Sequence, residues 1–264
     1  MKKIFKISLI VIGSIILVFI GLKIYNHINT PECIVEFHGE TVQFASKDKV
    51  QITADVYKVN NTSTPWIILY HQGSYSRGEY HPIASELNTL GFNCIAIDQR
   101  SGNTINGIDN QTRIEASKLD KGTRYYHAYP DMEAGLQYVK DNFNPKTLLV
   151  WGSSYSASLV LILGKEYQTE IDGIIAFSPP ALEYKEIQIN EYAKSVKLPT
   201  FIAASSSEYE DAKTIYDLIQ TSNKKIYAPE TGGLHGSKSL WNCSEGNQDY
   251  WKELQSFLSQ FKKP

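Results

Sequence analysis

The chain has 264 residues, 42% of them hydrophobic and 12% aromatic, with 26 basic and 28 acidic side chains and a formal net charge of -2. That is enough apolar material for one large core, and a single domain of this length is ordinary for an open α/β sheet. No basic stripe tracks along it, which sets nucleic-acid binding aside, and no internal repeat points to a solenoid.

Lys2, Lys3 and Lys6 precede an uncharged, mostly apolar run over 7–22 that Lys23 closes, and the rest of the chain carries 22 basic against 28 acidic residues. The run is slightly short of the roughly 20 residues a membrane span needs, but flanking lysines can snorkel. The expectation is an uncleaved transmembrane anchor over 1–23 and a tether over 24–33. A cleaved secretory signal is the alternative, although its small-residue cleavage site is missing. More lysines before the run than after it put the amino terminus inside and the following domain, 34–264, outside the cytoplasm. Cleavage would make that domain secreted. None of the three cysteines has metal-ligand spacing. Cys94 reads as core, and Cys33 and Cys243 either form one bridge in an oxidising compartment or remain thiols.

Residues 34–37 and 41–45 read as short strands, and 50–57 alternates as a third. The continuous apolar run 66–70 reads as a strand covered on both faces. It feeds a polar, glycine-punctuated loop over 71–78. A helix is expected over 79–90, with Ile83, Leu87 and Leu90 on one face and Gly91 as its stop. Residues 92–97 form the next strand, ending in Asp98, Gln99 and Arg100. Residues 101–128 are polar without clear periodicity and are expected to be a long functional or mobile loop. A helix over 131–143 turns Met132, Leu136, Val139 and Phe143 to one side.

Residues 148–151 are apolar and strand-like, 152–156 make a tight turn, and 159–163 are apolar on every side, as in a buried helix. This is the setting of a G-x-S-x-G nucleophile elbow, where strain pushes the central side chain out of the sheet. Gly152-Ser153-Ser154-Tyr155-Ser156 departs from the pattern at its last position, where Ser156 is small enough to fit. Only Ser154 has Gly152 two before it and a small residue two after. A serine-rich turn without chemistry is the plain alternative.

Beyond the elbow, 171–177 is a strand ending at Ser178, and 181–196 is amphipathic and partly helical. Residues 198–204 are a strand followed by a helix to about 220, and 225–228 is the last strand. A closing helix over about 248–261 faces Trp251, Leu254, Leu258 and Phe261 inward. Strands alternating with helices imply a mostly parallel sheet, which binds ligands beyond the carboxyl ends of its strands. His71, Asp98, Ser154, Ser178, Glu208 and His235 all fall at or after strand ends. A serine nucleophile needs a base, and the base needs an acceptor. Ser154, Glu208 and His235 supply these in the order serine, acid, histidine. The plain readings are a solvated helix-start charge for Glu208 and a surface histidine for His235. His71 reads as a structural hydrogen-bonder, and Asp98 with Arg100 as a structural ion pair or loop brace. Trp66 and Trp151 read as core, and Tyr75, Tyr125 and Tyr126 as candidate pocket walls.

Four ordered stretches carry a resemblance over most of 50–264: His71 to Ser74 with Arg77 to Tyr80, Asp98 to Gly102, Gly152 to Ser156, and Leu234 to Gly236. Together they resemble the α/β-hydrolases of the dienelactone-hydrolase-like or serine-esterase group. The resemblance implies an α/β-hydrolase fold, a mostly parallel central sheet flanked by helices. It implies Ser154 as nucleophile, His235 as general base and then acid, and a carboxylate after the seventh main strand. Glu208 stands there in place of the usual aspartate, with Glu210 and Asp211 close by. The implied oxyanion hole is the backbone N–H of Tyr155 with that of Gly73 or of Gln72, the usual His-Gly pair having become His71-Gln72. The elbow has no thiol of the kind true dienelactone hydrolases use. The implied activity is cleavage of a small or extended carboxylic ester through an acyl-enzyme, without metal or organic cofactor. A peptidase or amidase on the same triad, an acyltransferase and a catalytically silent binding protein are the alternatives.

Overall fold

Among the described residues eight strands share one sheet. The computed structural model describes residues 33, 35–59, 64–180, 183–184 and 187–262. The expected anchor over 1–23 lies outside the described residues, as does the tether apart from Cys33. Among the described residues no helix is long and apolar enough to cross a membrane.

β1 (Glu40–Ala45) and β2 (Gln51–Tyr57) form an antiparallel pair, and β2 runs antiparallel to β4 (Asn93–Ile97). From β4 onward every pairing is parallel, through β3 (Trp66–Tyr70), β5 (Leu148–Ser153), β6 (Gly173–Phe177), β9 (Thr200–Ala203) and β10 (Lys224–Tyr227). The small β7 (Glu183–Tyr184) and β8 (Ile187–Gln188) pair with each other, and the short helix α5 (Ile189–Ala193) follows them.

β3, β4, β5 and β6 are buried along their whole length. Such strands need cover on both faces, and successive side chains feed two separate cores. Trp66, Ile68 and Tyr70 pack with α3 (Tyr129–Phe143) and α4 (Tyr155–Glu166) in one. Ile67 and Leu69 pack with α1 (His81–Thr89) and α7 (Asn247–Leu258) in the other. Trp66 and Trp151 are core, as is the free Cys94. Cys33 and Cys243 form a disulfide with their Cα atoms 6.2 Å apart.

Several expectations are corrected. Residues 35–38 form no strand. Phe37 instead stacks on His81, with 5.2 Å between ring centroids, so that segment packs by a side chain rather than a ladder. The helix expected over 79–90 starts as a 3-10 turn, Arg77–Tyr80, because the Ser76 hydroxyl caps Gly78 N–H; α1 then begins with Pro82 in its first turn. The long polar loop contains α2 (Gln111–Lys118) and a 3-10 turn at Tyr125–Ala128. Only Thr112 and Ala116 of α2 are buried, so it shows no apolar stripe to read. Its anchors are polar: the Asn110 side chain caps Arg113 N–H, and Thr112 Oγ1 accepts the Thr53 N–H at 3.0 Å. In α7 Trp251 is half-buried, and Tyr250 and Phe257 fill the core beside Leu254 and Leu258.

Asp98 and Arg100 do not pair with each other. Asp98 accepts from Arg77 Nη1 at 2.7 Å and from the backbone N–H groups of Arg77 and Gln111. Arg100 is bound by Asp131 at the start of α3 and by Asp48 in the β1–β2 turn. Each charge is thus neutralised by a different neighbouring segment.

Candidate active site

The elbow lies where β5 turns into α4. Ser154 has φ 58° and ψ -123°, a conformation that costs a non-glycine residue about 1–3 kcal/mol and persists only where the surroundings enforce it. Its N–H donates to the Phe177 carbonyl at 2.8 Å and its carbonyl accepts Ala157 N–H at 2.9 Å. Any side chain at Gly152 would run into the Ser156 backbone. Ser156, where glycine is usual, is fully buried. Its hydroxyl accepts Ser153 N–H at 2.8 Å and reaches the Tyr70 carbonyl at 2.7 Å, tying the turn to the end of β3.

Three side chains meet in series. Ser154 Oγ lies 2.8 Å from His235 Nε2. His235 Nδ1 is hydrogen-bonded to Glu208 Oε1. Glu208 Oε2 accepts from the Ser178 hydroxyl at 2.8 Å and from the Ser205 hydroxyl at 2.9 Å. Glu208 ends the 3-10 turn Ser206–Glu208, just before α6 (Tyr209–Leu218), while Glu210 and Asp211 are exposed on α6. His235 sits in the loop after β10, where Gly232, Gly233 and Gly236 all take positive φ and let the chain curl over the elbow. Ser178 Oγ also accepts Gly236 N–H at 2.9 Å, so one hydroxyl joins the acid to the histidine loop.

Burial works to raise the Glu208 carboxyl. The hydrogen bond and charge of His235, with the two serine hydroxyls, outweigh it and bring the carboxyl down to about 2. His71 is fully buried, and desolvation lowers it to about 4, so it is neutral at physiological pH. Its Nδ1 faces the Gln72 carbonyl at 2.7 Å and its Nε2 accepts Gln99 N–H at 2.9 Å. That is a brace for the loop after β3.

Of the expected oxyanion donors, Gln72 is otherwise engaged: its N–H donates to Glu79 Oε2 at 2.7 Å. The Gly73 and Tyr155 N–H groups have no hydrogen bond to another described residue. Tyr155 opens α4, whose first N–H groups lack intrahelical partners and carry the positive end of the helix dipole. The Tyr125 ring stacks on that of Tyr155, centroids 4.6 Å apart, and packs against Gly73. Tyr125 is 41% exposed and walls this side of the site. Tyr75 is buried, stacked on Trp241, and Tyr126 lies against His127. No group of three or more His, Cys, Asp or Glu is placed to hold a metal ion among the described residues.

Sequence reasoning assigned no role to Ser178, Ser205 or Glu79. Serines at strand ends are too common to stand out, and nothing in the run Ser76-Arg77-Gly78-Glu79 distinguishes a buried acid from a solvated one.

The chain matches no family model and no curated protein. Solved structures do resemble it. The esterase Pf2001 of Pyrococcus furiosus superposes with a TM-score of 0.66 at 20% identity, covering 88% of this chain and 98% of its own. A dienelactone hydrolase from Anabaena variabilis gives 0.65 at 12% identity over 84% of this chain and 97% of its own. Est1E from Butyrivibrio proteoclasticus gives 0.64 at 13% identity, covering 83% and 98%. At these identities the likeness is one of fold. The strand order, the turn between β5 and α4, and this likeness show that the chain has an α/β-hydrolase fold.

Proposed function

We propose that the protein is a serine hydrolase that cleaves a carboxylic ester through an acyl-enzyme intermediate. The observation that carries this reading is Ser154 at a strained turn, 2.8 Å from His235 Nε2, with the other imidazole nitrogen on Glu208. Ser154 Oγ attacks the carbonyl carbon while His235 Nε2 takes its proton. Glu208 holds Nδ1–H in place and balances the imidazolium charge. The Gly73 and Tyr155 N–H groups receive the developing oxyanion. The intermediate collapses, His235 returns the proton to the departing alcohol, and water repeats the cycle on the acyl-enzyme. No organic cofactor or metal takes part in this scheme.

The test is fluorophosphonate labelling of wild type and Ser154→Ala. Labelling that vanishes in the variant supports the reading, and labelling that persists moves the nucleophile elsewhere. No labelling of folded protein would make it a silent binding protein of this fold. A peptidase reading draws on the likeness to the Pyrococcus horikoshii acylaminoacyl peptidase, TM-score 0.62 at 13% identity, 42% of which is covered. Parallel rates on p-nitrophenyl esters and p-nitroanilides separate the two.

We also propose that the domain works outside the cytoplasm, held by residues 1–23 or secreted after their removal. The lysines before the apolar run support the orientation. The Cys33–Cys243 disulfide supports an oxidising compartment. Recovery of the intact chain in the soluble fraction, with 1–23 still present, would sink the tether.

A further inference from the structure

Glu79 lies in the 3-10 turn Arg77–Tyr80 and is completely buried. Its carboxylate accepts two hydrogen bonds, from Gln72 N–H to Oε2 and from the Ser153 hydroxyl to Oε1, each 2.7 Å. Gln72 precedes Gly73 and Ser153 precedes Ser154, so one carboxylate sits one residue from the oxyanion donor and one residue from the nucleophile. The Ser153 Oγ also accepts Ser237 N–H at 2.9 Å, two residues past His235. The Glu79 backbone is fixed as well: its carbonyl accepts Trp241 Nε1–H at 2.8 Å and its N–H donates to the Ser76 carbonyl at 3.0 Å.

Both bonds use the carboxylate as acceptor. An ionised carboxylate serves both donors, because each oxygen has free lone pairs. A protonated one must donate from one oxygen, and the Ser153 hydroxyl, already accepting from Ser237, must then turn its own proton elsewhere. An amide in place of the carboxylate presents an NH2 group to one of two donors. Either change loosens the Gln72 peptide or the Ser153 hydroxyl. The Gln72 peptide is what aims the next N–H, that of Gly73.

We infer that Glu79 is a positioning residue for the proposed reaction: by binding Gln72 N–H and the Ser153 hydroxyl at once, its carboxylate keeps the oxyanion loop in register with the nucleophile. The inference rests on the reading of Ser154 as that nucleophile. Lys238 and His235 face Glu79 from the loop after β10, Tyr80 from its own turn and Tyr155 from α4. The neighbouring Arg77 is committed to Asp55 and Asp98. Burial pushes the Glu79 carboxyl up to about 7, against the two hydrogen bonds and the charges of Lys238 and His235. The ionised, loop-holding form therefore gains population as pH rises through neutrality.

The test compares wild type, Ser154→Ala, Glu79→Gln and Ser153→Ala on a p-nitrophenyl ester and a fluorophosphonate, with kcat followed through neutral pH and folding checked by circular dichroism. Glu79→Gln is expected to lower kcat roughly 100-fold with KM little changed, the size of a lost oxyanion donor. Wild type is expected to show one ionisation more than the variant, near pH 7 and with the rate rising with pH, beyond the dependence on the base His235 that both share. Ser153→Ala keeps Gln72 anchored and is expected to lose about tenfold while retaining that ionisation. A folded Glu79→Gln with wild-type kcat and an unchanged pH profile would overturn the inference, since a merely structural Glu79 would move only the melting temperature. Should Glu79→Gln fail to fold, a Ser153→Ala variant with wild-type kcat overturns it equally, since that variant removes one of the two bonds of the clamp. Absent labelling of wild type, or labelling that survives Ser154→Ala, would instead remove the hydrolase reading itself.

Discussion

Two glutamates stand beside the elbow, and their surroundings give them opposite characters. The Glu208 side chain is 29% exposed, touches His235 and accepts from two hydroxyls, and its carboxyl is brought down to about 2. Glu79 has no exposed surface and touches one amide and one hydroxyl, and its carboxyl is pushed up to about 7. Desolvation opposes charge at both; only at Glu208 do an adjacent imidazole and extra donors overcome it. A carboxylate that must hold a histidine needs to be charged at every working pH. One that only clamps two loops can be half-neutral, and its clamp then varies with pH.

Four measurements sharpen or break that contrast. Ser154→Ala is expected to abolish turnover, a loss of roughly 10⁵–10⁶-fold that leaves circular dichroism unchanged. Glu208→Gln keeps the shape but favours the wrong imidazole tautomer, and kcat is expected to fall about 10⁴-fold. A Glu208→Gln effect no larger than that of Glu79→Gln would erase the distinction between the glutamates. Ser178→Ala removes one donor to Glu208 and the anchor of Gly236 N–H, so kcat is expected to drop about tenfold with KM nearly unchanged. A wild-type rate would show that Ser205 and His235 suffice to hold the acid.

The smallest effect on rate, and the most direct on Glu79, is stability against pH. Its folded carboxyl is raised from 4.5 to about 7, so the folded state binds the extra proton between those values. Unfolding free energy should therefore fall as pH rises from 4.5 to 7, by about 3 kcal/mol from this group. Activity should rise over the upper part of the same window. Glu79→Gln should flatten this part of the curve in urea melts; a slope equal to that of wild type would mean Glu79 does not titrate there. Glu208 has the opposite sign: its contribution is present above 4.5 and is lost as pH falls toward 2.

The buried parallel strands β3, β4, β5, β6 and β9 were legible because such strands are continuous apolar runs, such as 66–70 and 148–151, whereas β7 and β8 fall in a stretch read as amphipathic and partly helical. The elbow was legible because strain and close approach restrict which residues tolerate it, and Gly152 meets that restriction. α2 was not legible, since a helix that buries only Thr112 and Ala116 has no stripe to find. Nor were the true partners of Asp98 and Arg100, because Arg77, Asp131 and Asp48 reach them from other segments.

Local pattern and chain order alone thus determined the alternating β/α architecture, the serine at the turn, and the ordered acid and histidine after later strand ends. Those properties depend on backbone sterics and hydrophobic periodicity, which are local. The tertiary structure decided which backbone N–H groups are free, that Ser178 joins the acid to the histidine loop, that Cys33 meets Cys243, and that Glu79 is buried behind two loops at once. Burial and hydrogen-bond partnership are set by segments far apart in the chain: Glu79 and Ser153 are 74 residues apart, Ser154 and His235 81. No window of sequence contains both members of such a pair, so the character of each charged group had to wait for the fold.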